Sequence, residues 1–170
     1  MCSSDLITGA IPDKNIAILT WKISYIAVLT MPPFFLHSVM LMTNEKNRLL
    51  TLTAYGVSGF FIASIFMGKM MNDVVWMFNS VYYSVGTPTY LYSFLCWSAL
   101  FMLGHIKLLL YYKQSLPQER GQFLTLIVSD IKFLAAITNF LPALGIAIYP
   151  FGNFIIPIHS IVISNAILRH

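Results

Sequence analysis

Residues Ile16–Met42, IAILTWKISYIAVLTMPPFFLHSVMLM, decide how this chain is read. Lys22 is the one formal charge in the stretch. A helix needs about 20 residues to cross a hydrocarbon core about 30 Å thick, and this run exceeds that. Four further apolar runs follow: Leu49–Met67, Pro88–Tyr112, Phe123–Leu144 and Tyr149–Leu168. Backbone in lipid must hydrogen-bond to itself, and Ile16–Leu29 lacks the alternating polarity of barrel strands, so the spans are predicted to be helices. The expected fold is all-α: a polytopic transmembrane bundle of five spans over 16–42, 49–67, 88–112, 123–144 and 149–168. An N-terminal segment, 1–14, precedes it, and Met1–Leu6 departs from the later pattern enough to read as not native to the protein.

Composition agrees. Of 170 residues, 58% are hydrophobic and 9% charged, and the mean hydropathy is +0.75. Soluble domains carry about 25% charged residues. Five spans leave no room for a separate catalytic domain of about 100 to 150 residues. The net charge of +4 comes mostly from loops and helix ends, and no basic stripe interleaved with aromatics points to nucleic acid. Cys2 and Cys96 fall in different environments, so neither a disulfide nor a metal spacing is expected. The first run is too long for a signal-peptide core and lacks a cleavage site.

Loop charge orients the chain. Lys46 and Arg48 lie in the first loop, and Lys113 and Arg120 in the third, with Lys107 close by; Arg169 and His170 end the chain. The second loop balances Lys69 against Asp73, and the fourth is uncharged. The positive-inside rule then sets the N-terminus outside and the C-terminus in the cytoplasm. In the second loop, MNDVVWMFNSVYY (Met71–Tyr83), with Trp76, Phe78, Tyr82 and Tyr83, gathers aromatics toward one membrane face together with Tyr90 and Tyr92. An interfacial aromatic belt accounts for them, as does a ligand-facing lid. Val74, Val75, Phe78, Val81 and Tyr82 fall at helical spacing, which predicts a short helix lying in the interface.

Ionisable groups inside spans are costly and face the bundle interior. At 1.5 Å per residue, His37 lies about 9 Å, His105 about 10 Å, Asp130 about 10 to 12 Å and His159 about 13 Å from the inner ends of their spans, with Lys107 shallower than His105. Satisfied core polarity explains these groups, with Asp130 pairing to Lys107 or His105 on the neighbouring helix. A proton-sensitive switch, or histidines holding haem or a metal, is the sharper alternative. No two histidines share a helix at ligand spacing, so no metal or other cofactor is expected. Lys132 follows Asp130 by two positions and points away from it, so it needs another partner. Lys22, beside Trp21, reads as an interfacial anchor. Pro32 and Pro33 are expected to kink the first span, Pro142 to close the fourth, and Pro150 and Pro157 to open and bend the fifth.

Taken in order, these features resemble a family. WKISYIA (Trp21–Ala27) followed by MPPFFLH (Met31–His37), Arg120 before a span, FLPALGIAIYPFG (Phe140–Gly152) and the closing NAILRH (Asn165–His170) are similar to the N-terminal seven-helix membrane region of bacterial sensor histidine kinases. The resemblance covers roughly Asn15–His170, and the five runs correspond to the last five of seven spans. It implies a multi-pass protein of the bacterial cytoplasmic membrane, read as a fragment, whose partners are the bilayer, a small ligand, a second copy of the chain, and an output domain in cis (a kinase, or diguanylate cyclase or PAS modules). The last span, from Tyr149 and Pro150 to Arg169, would transmit the signal. A small transporter or channel subunit using Asp130, Lys132, Lys107 and the histidines is the alternative, and a haem-binding electron carrier a third. An enzyme acting alone finds no nucleophile–base pair to support it.

Overall fold

The computed structural model describes residues 13–77, 81–115, 120–121, 123–124, 127, 134–146 and 148. Three helices in it are long and apolar enough to cross a membrane: α1 (Lys14–Met42), α2 (Arg48–Phe66) and α3 (Pro88–Gln114). They match the first three expected spans to within a few residues. The fold is mostly helical but not all-α. Between α2 and α3 runs an antiparallel hairpin, β1 (Met71–Met77) and β2 (Val81–Gly86). The interfacial helix expected over this loop is therefore corrected to two strands. Val74, Val75 and Trp76 pair with Ser84, Tyr83 and Tyr82. β-branched and aromatic side chains fit such a pleated surface.

Local chemistry sets the helix ends. Asp13 caps α1 by accepting from the Asn15 and Ile16 amides at 2.8 and 3.4 Å. Asn47 caps α2 through the Leu50 amide at 3.0 Å. Pro88 opens α3, where a missing N–H is harmless. Both α1 and α2 end in a left-handed residue, Asn44 at φ 52° and Gly68 at φ 70°. In each the next amide folds back onto the helix, Glu45 to the Met40 carbonyl and Lys69 to the Ser64 carbonyl, both at 2.9 Å. The Asn44 turn sends the chain back so that α2 packs against α1, and the Gly68 turn leads into the hairpin.

The helix α1 is the centre. In its most apolar stretch 44% of residues are buried, against 28% for α2 and 22% for α3. It packs on both neighbours, which barely meet each other. It also runs unbroken through Pro32 and Pro33, both buried. Close approach to α3 depends on Gly104, where a Cβ would lie 2.6 Å from the Phe35 ring.

Within the fourth expected span, Leu134–Asn139 and Pro142–Leu144 are short 3₁₀ turns and not α-helix. Pro142 begins the second of them and is buried. Asp130, Lys132, Tyr149, Pro150, Pro157, His159, Arg169 and Phe78, the fifth span and Met1–Leu6 lie outside the described residues.

Candidate functional site

The chemistry of this bundle concentrates along α1, at three levels. The middle level follows from the two prolines. A proline has no N–H, so Pro32 and Pro33 strip the carbonyls four residues earlier, Val28 and Leu29, of their helical donors. In a dry interior an unpaired carbonyl costs about 1 to 3 kcal/mol. Both are supplied from other helices. The Trp97 indole N–H on α3 donates to the Val28 carbonyl at 3.1 Å. The Ser58 hydroxyl on α2 donates to the Leu29 carbonyl at 2.8 Å. Two neighbours thus bond to adjacent carbonyls of the central helix. A cleft of about 10 Å³ beside them is lined in part by Leu29, Pro32, Ser58, Cys96 and Trp97, and that is about the room one water requires.

The second level is the hairpin end. The Trp21 indole donates to the Tyr82 carbonyl at 2.9 Å. The Tyr25 and Ser84 hydroxyls share a short hydrogen bond, and the Tyr83 hydroxyl donates to the Asn139 carbonyl. Lys14 pairs with Asp73 at 2.8 Å. That ion pair and the Val74 amide hold the Asp73 carboxyl below its usual range. Trp21 lies 4.7 Å from the Tyr83 ring and Tyr25 lies 5.4 Å from Tyr90. The expected aromatic surface is therefore divided. Trp76 is 51% exposed and stacks edge-on with half-buried Tyr82 at 4.9 Å, whereas Tyr83, at 3% exposed, belongs to the core. Tyr92 faces outward and Tyr90 is buried.

The third level is the opposite end. Phe35 stacks on Phe101 at 4.6 Å and meets the His105 ring at a tilt, 5.0 Å away. His105 Nδ1 donates to the Phe101 carbonyl at 2.8 Å, the backbone bond expected of a core histidine. His37 Nδ1 lies 3.2 Å from the Tyr55 hydroxyl. Asp130, for which Lys107 or His105 is the expected partner, lies outside the described residues. The Lys107 ammonium grips both carboxylate oxygens of Glu45, at 2.6 and 2.7 Å. The turn at Asn44 presents Glu45, a loop carboxylate, to it. Lys22 is half-buried on α1, next to Trp21.

The sequence reading singled out Pro32, Pro33 and His37, which lie on α1, His105, which packs on Phe35 of α1, and Lys107, which grips Glu45 in the turn after α1. It missed Ser58, Trp97, Tyr25 and Ser84. A signal for the first two was present: prolines at 32 and 33 imply that donors must reach residues 28 and 29. Among the described residues no group of three or more histidine, cysteine or acidic side chains could hold a metal ion. No protein-family model, curated protein or solved structure matches this chain.

Proposed function

We propose that this chain is the membrane sensor and anchor region of a bacterial signal-transduction protein, with a sensor histidine kinase as its parent. The observation that supports this reading is the bonding of the hairpin to α1. Trp21, Tyr25 and Lys14 hold β1 and β2 through a main-chain carbonyl, a hydroxyl and a carboxylate. A change in the hairpin is therefore felt directly by α1. On the orientation expected from loop charge, the hairpin lies outside and the Glu45–Lys107 pair faces the cytoplasm. A ligand that binds one helix packing better than another then shifts the population toward it. The last span carries the shift to an output domain in cis.

The test is a chimera. The membrane region, with two upstream spans, is joined to a kinase core and reconstituted in vesicles. Autophosphorylation is expected to change severalfold when Tyr25→Phe and Trp21→Phe uncouple the hairpin from α1. An identical rate in parent and variant, and no response to any stimulus applied outside, rejects the reading.

A further inference from the structure

We infer that Trp97 and Ser58 form a releasable clasp that makes α1 a hinged helix, with Pro32 and Pro33 as the hinge. For its signalling role this inference rests on the sensor reading above; as a property of the helix it does not. Elsewhere in a helix each inner carbonyl is held by an amide of its own chain, and it opens only if the helix unwinds. The Val28 and Leu29 carbonyls are held by side chains of α3 and α2, at 3.1 and 2.8 Å. Rotation of a single serine hydroxyl or a small shift of one indole breaks these bonds while the rest of the helix stays intact. The cleft beside them borders on both donors and on Pro32, and its volume of about 10 Å³ suits one water. A water there can take over a carbonyl that a side chain gives up, so release does not leave it bare.

The two parts of α1 are also held differently. Before the prolines, the hairpin grips the helix through Lys14, Trp21 and Tyr25. After them, the contacts are Phe35 against Gly104, His37 beside Tyr55, and the turn that offers Glu45 to Lys107. With the clasp closed, both parts keep one register against α2 and α3. With it open, the Pro33–Met42 segment swings. A bend change of about 20° moves its tip by about 5 Å, at 1.5 Å rise per residue.

Spin-label distances on the full chain in lipid nanodiscs test this, in a Cys2→Ser, Cys96→Ala background. One pair, Leu19→Cys with Tyr92→Cys, reports the hairpin side of the hinge. The other, Leu41→Cys with Leu110→Cys, reports the far side; all four positions are exposed. Trp97→Phe with Ser58→Ala is expected to add a population displaced by about 5 Å in the second pair alone. Pro32→Ala with Pro33→Ala returns N–H donors to both carbonyls, and in that background the same two changes are expected to move nothing. The clasp is overturned if the far-side distance is unchanged, if both pairs shift alike, or if the alanine background leaves the shift in place. Ser58→Ala alone, with Ser58→Thr as the hydroxyl-keeping control, serves if the double variant does not fold. No kinase output is read here, so this result and that of the chimera fail independently.

Discussion

The two ends of α1 are built from different interactions. At the hairpin end, aromatic side chains hydrogen-bond into a β-ribbon and a 3₁₀ turn: Trp21 donates to the Tyr82 carbonyl, Tyr83 donates to the Asn139 carbonyl, and Tyr25 shares a bond with the Ser84 hydroxyl. At the opposite end, stacked rings and one bidentate ion pair hold α1 and its turn to α3. Directional bonds to a main chain allow one arrangement; ring stacks and a half-exposed ion pair tolerate sliding. Two adjacent carbonyls separate these regimes. The comparison shows that a proline pair need not weaken a helix when its neighbours provide the missing donors, and that it then decides where neighbours attach.

The largest expected effect lies at the junction. Trp97→Phe keeps a ring but leaves the Val28 carbonyl without its donor, and unfolding in mixed micelles is expected to show a loss of about 1 to 3 kcal/mol. An equal loss for Trp97→Phe in a Pro32→Ala background would mean that ring packing, not the hydrogen bond, was measured. Next come the two left-handed turns. Gly68→Ala puts a Cβ at φ 70° and is expected to cost about 1 to 2 kcal/mol. Asn44→Gly at the other turn is expected to be neutral or stabilising, since asparagine already tolerates that conformation less well than glycine. Glu45→Gln removes one charge of a pair whose side chains are 18% and 40% exposed. A loss of about 0.5 to 1 kcal/mol is expected, falling as salt is raised.

The smallest effect is the pH response of the hairpin end. The Asp73 carboxyl is held below its usual range by Lys14 and the Val74 amide. A carboxyl lowered by folding stabilises the fold above its unfolded pKa and loses that contribution as the pH falls through its folded value. Stability of the hairpin, followed by amide exchange at β1, is therefore expected to decline at acid pH, below the ordinary carboxylate range. Asp73→Asn should flatten that part of the profile.

Much of this was legible residue by residue. Hydrophobic length located α1, α2 and α3. Asp13 and Asn47 at their starts, and Asn44 and Gly68 past two of their ends, are local signals that reading by span length left unused. The hairpin was not legible in the same way. Val74, Val75, Val81 and Tyr82 fit a helical face as well as a strand pair, and a short apolar segment does not distinguish the two by spacing. The Trp21 indole bears on the choice, because it bonds the Tyr82 main-chain carbonyl, which a helix interior would keep for its own amides. Lys107 shows a similar limit: its ion pair with Glu45 joins a span to a loop, and residue spacing does not reveal it.

By itself, then, the amino-acid order determined the membrane-length helices, their caps and turns, and the fact that the carbonyls of residues 28 and 29 would need outside donors. These depend on covalent geometry and on neighbours a few positions away. Tertiary structure alone decided who answers. Trp97 reaches its carbonyl across 69 positions, Ser58 across 29, and Lys107 finds Glu45 across 62. Such pairings are chosen by which surfaces pack together, and many donors along the chain satisfy the same local rule.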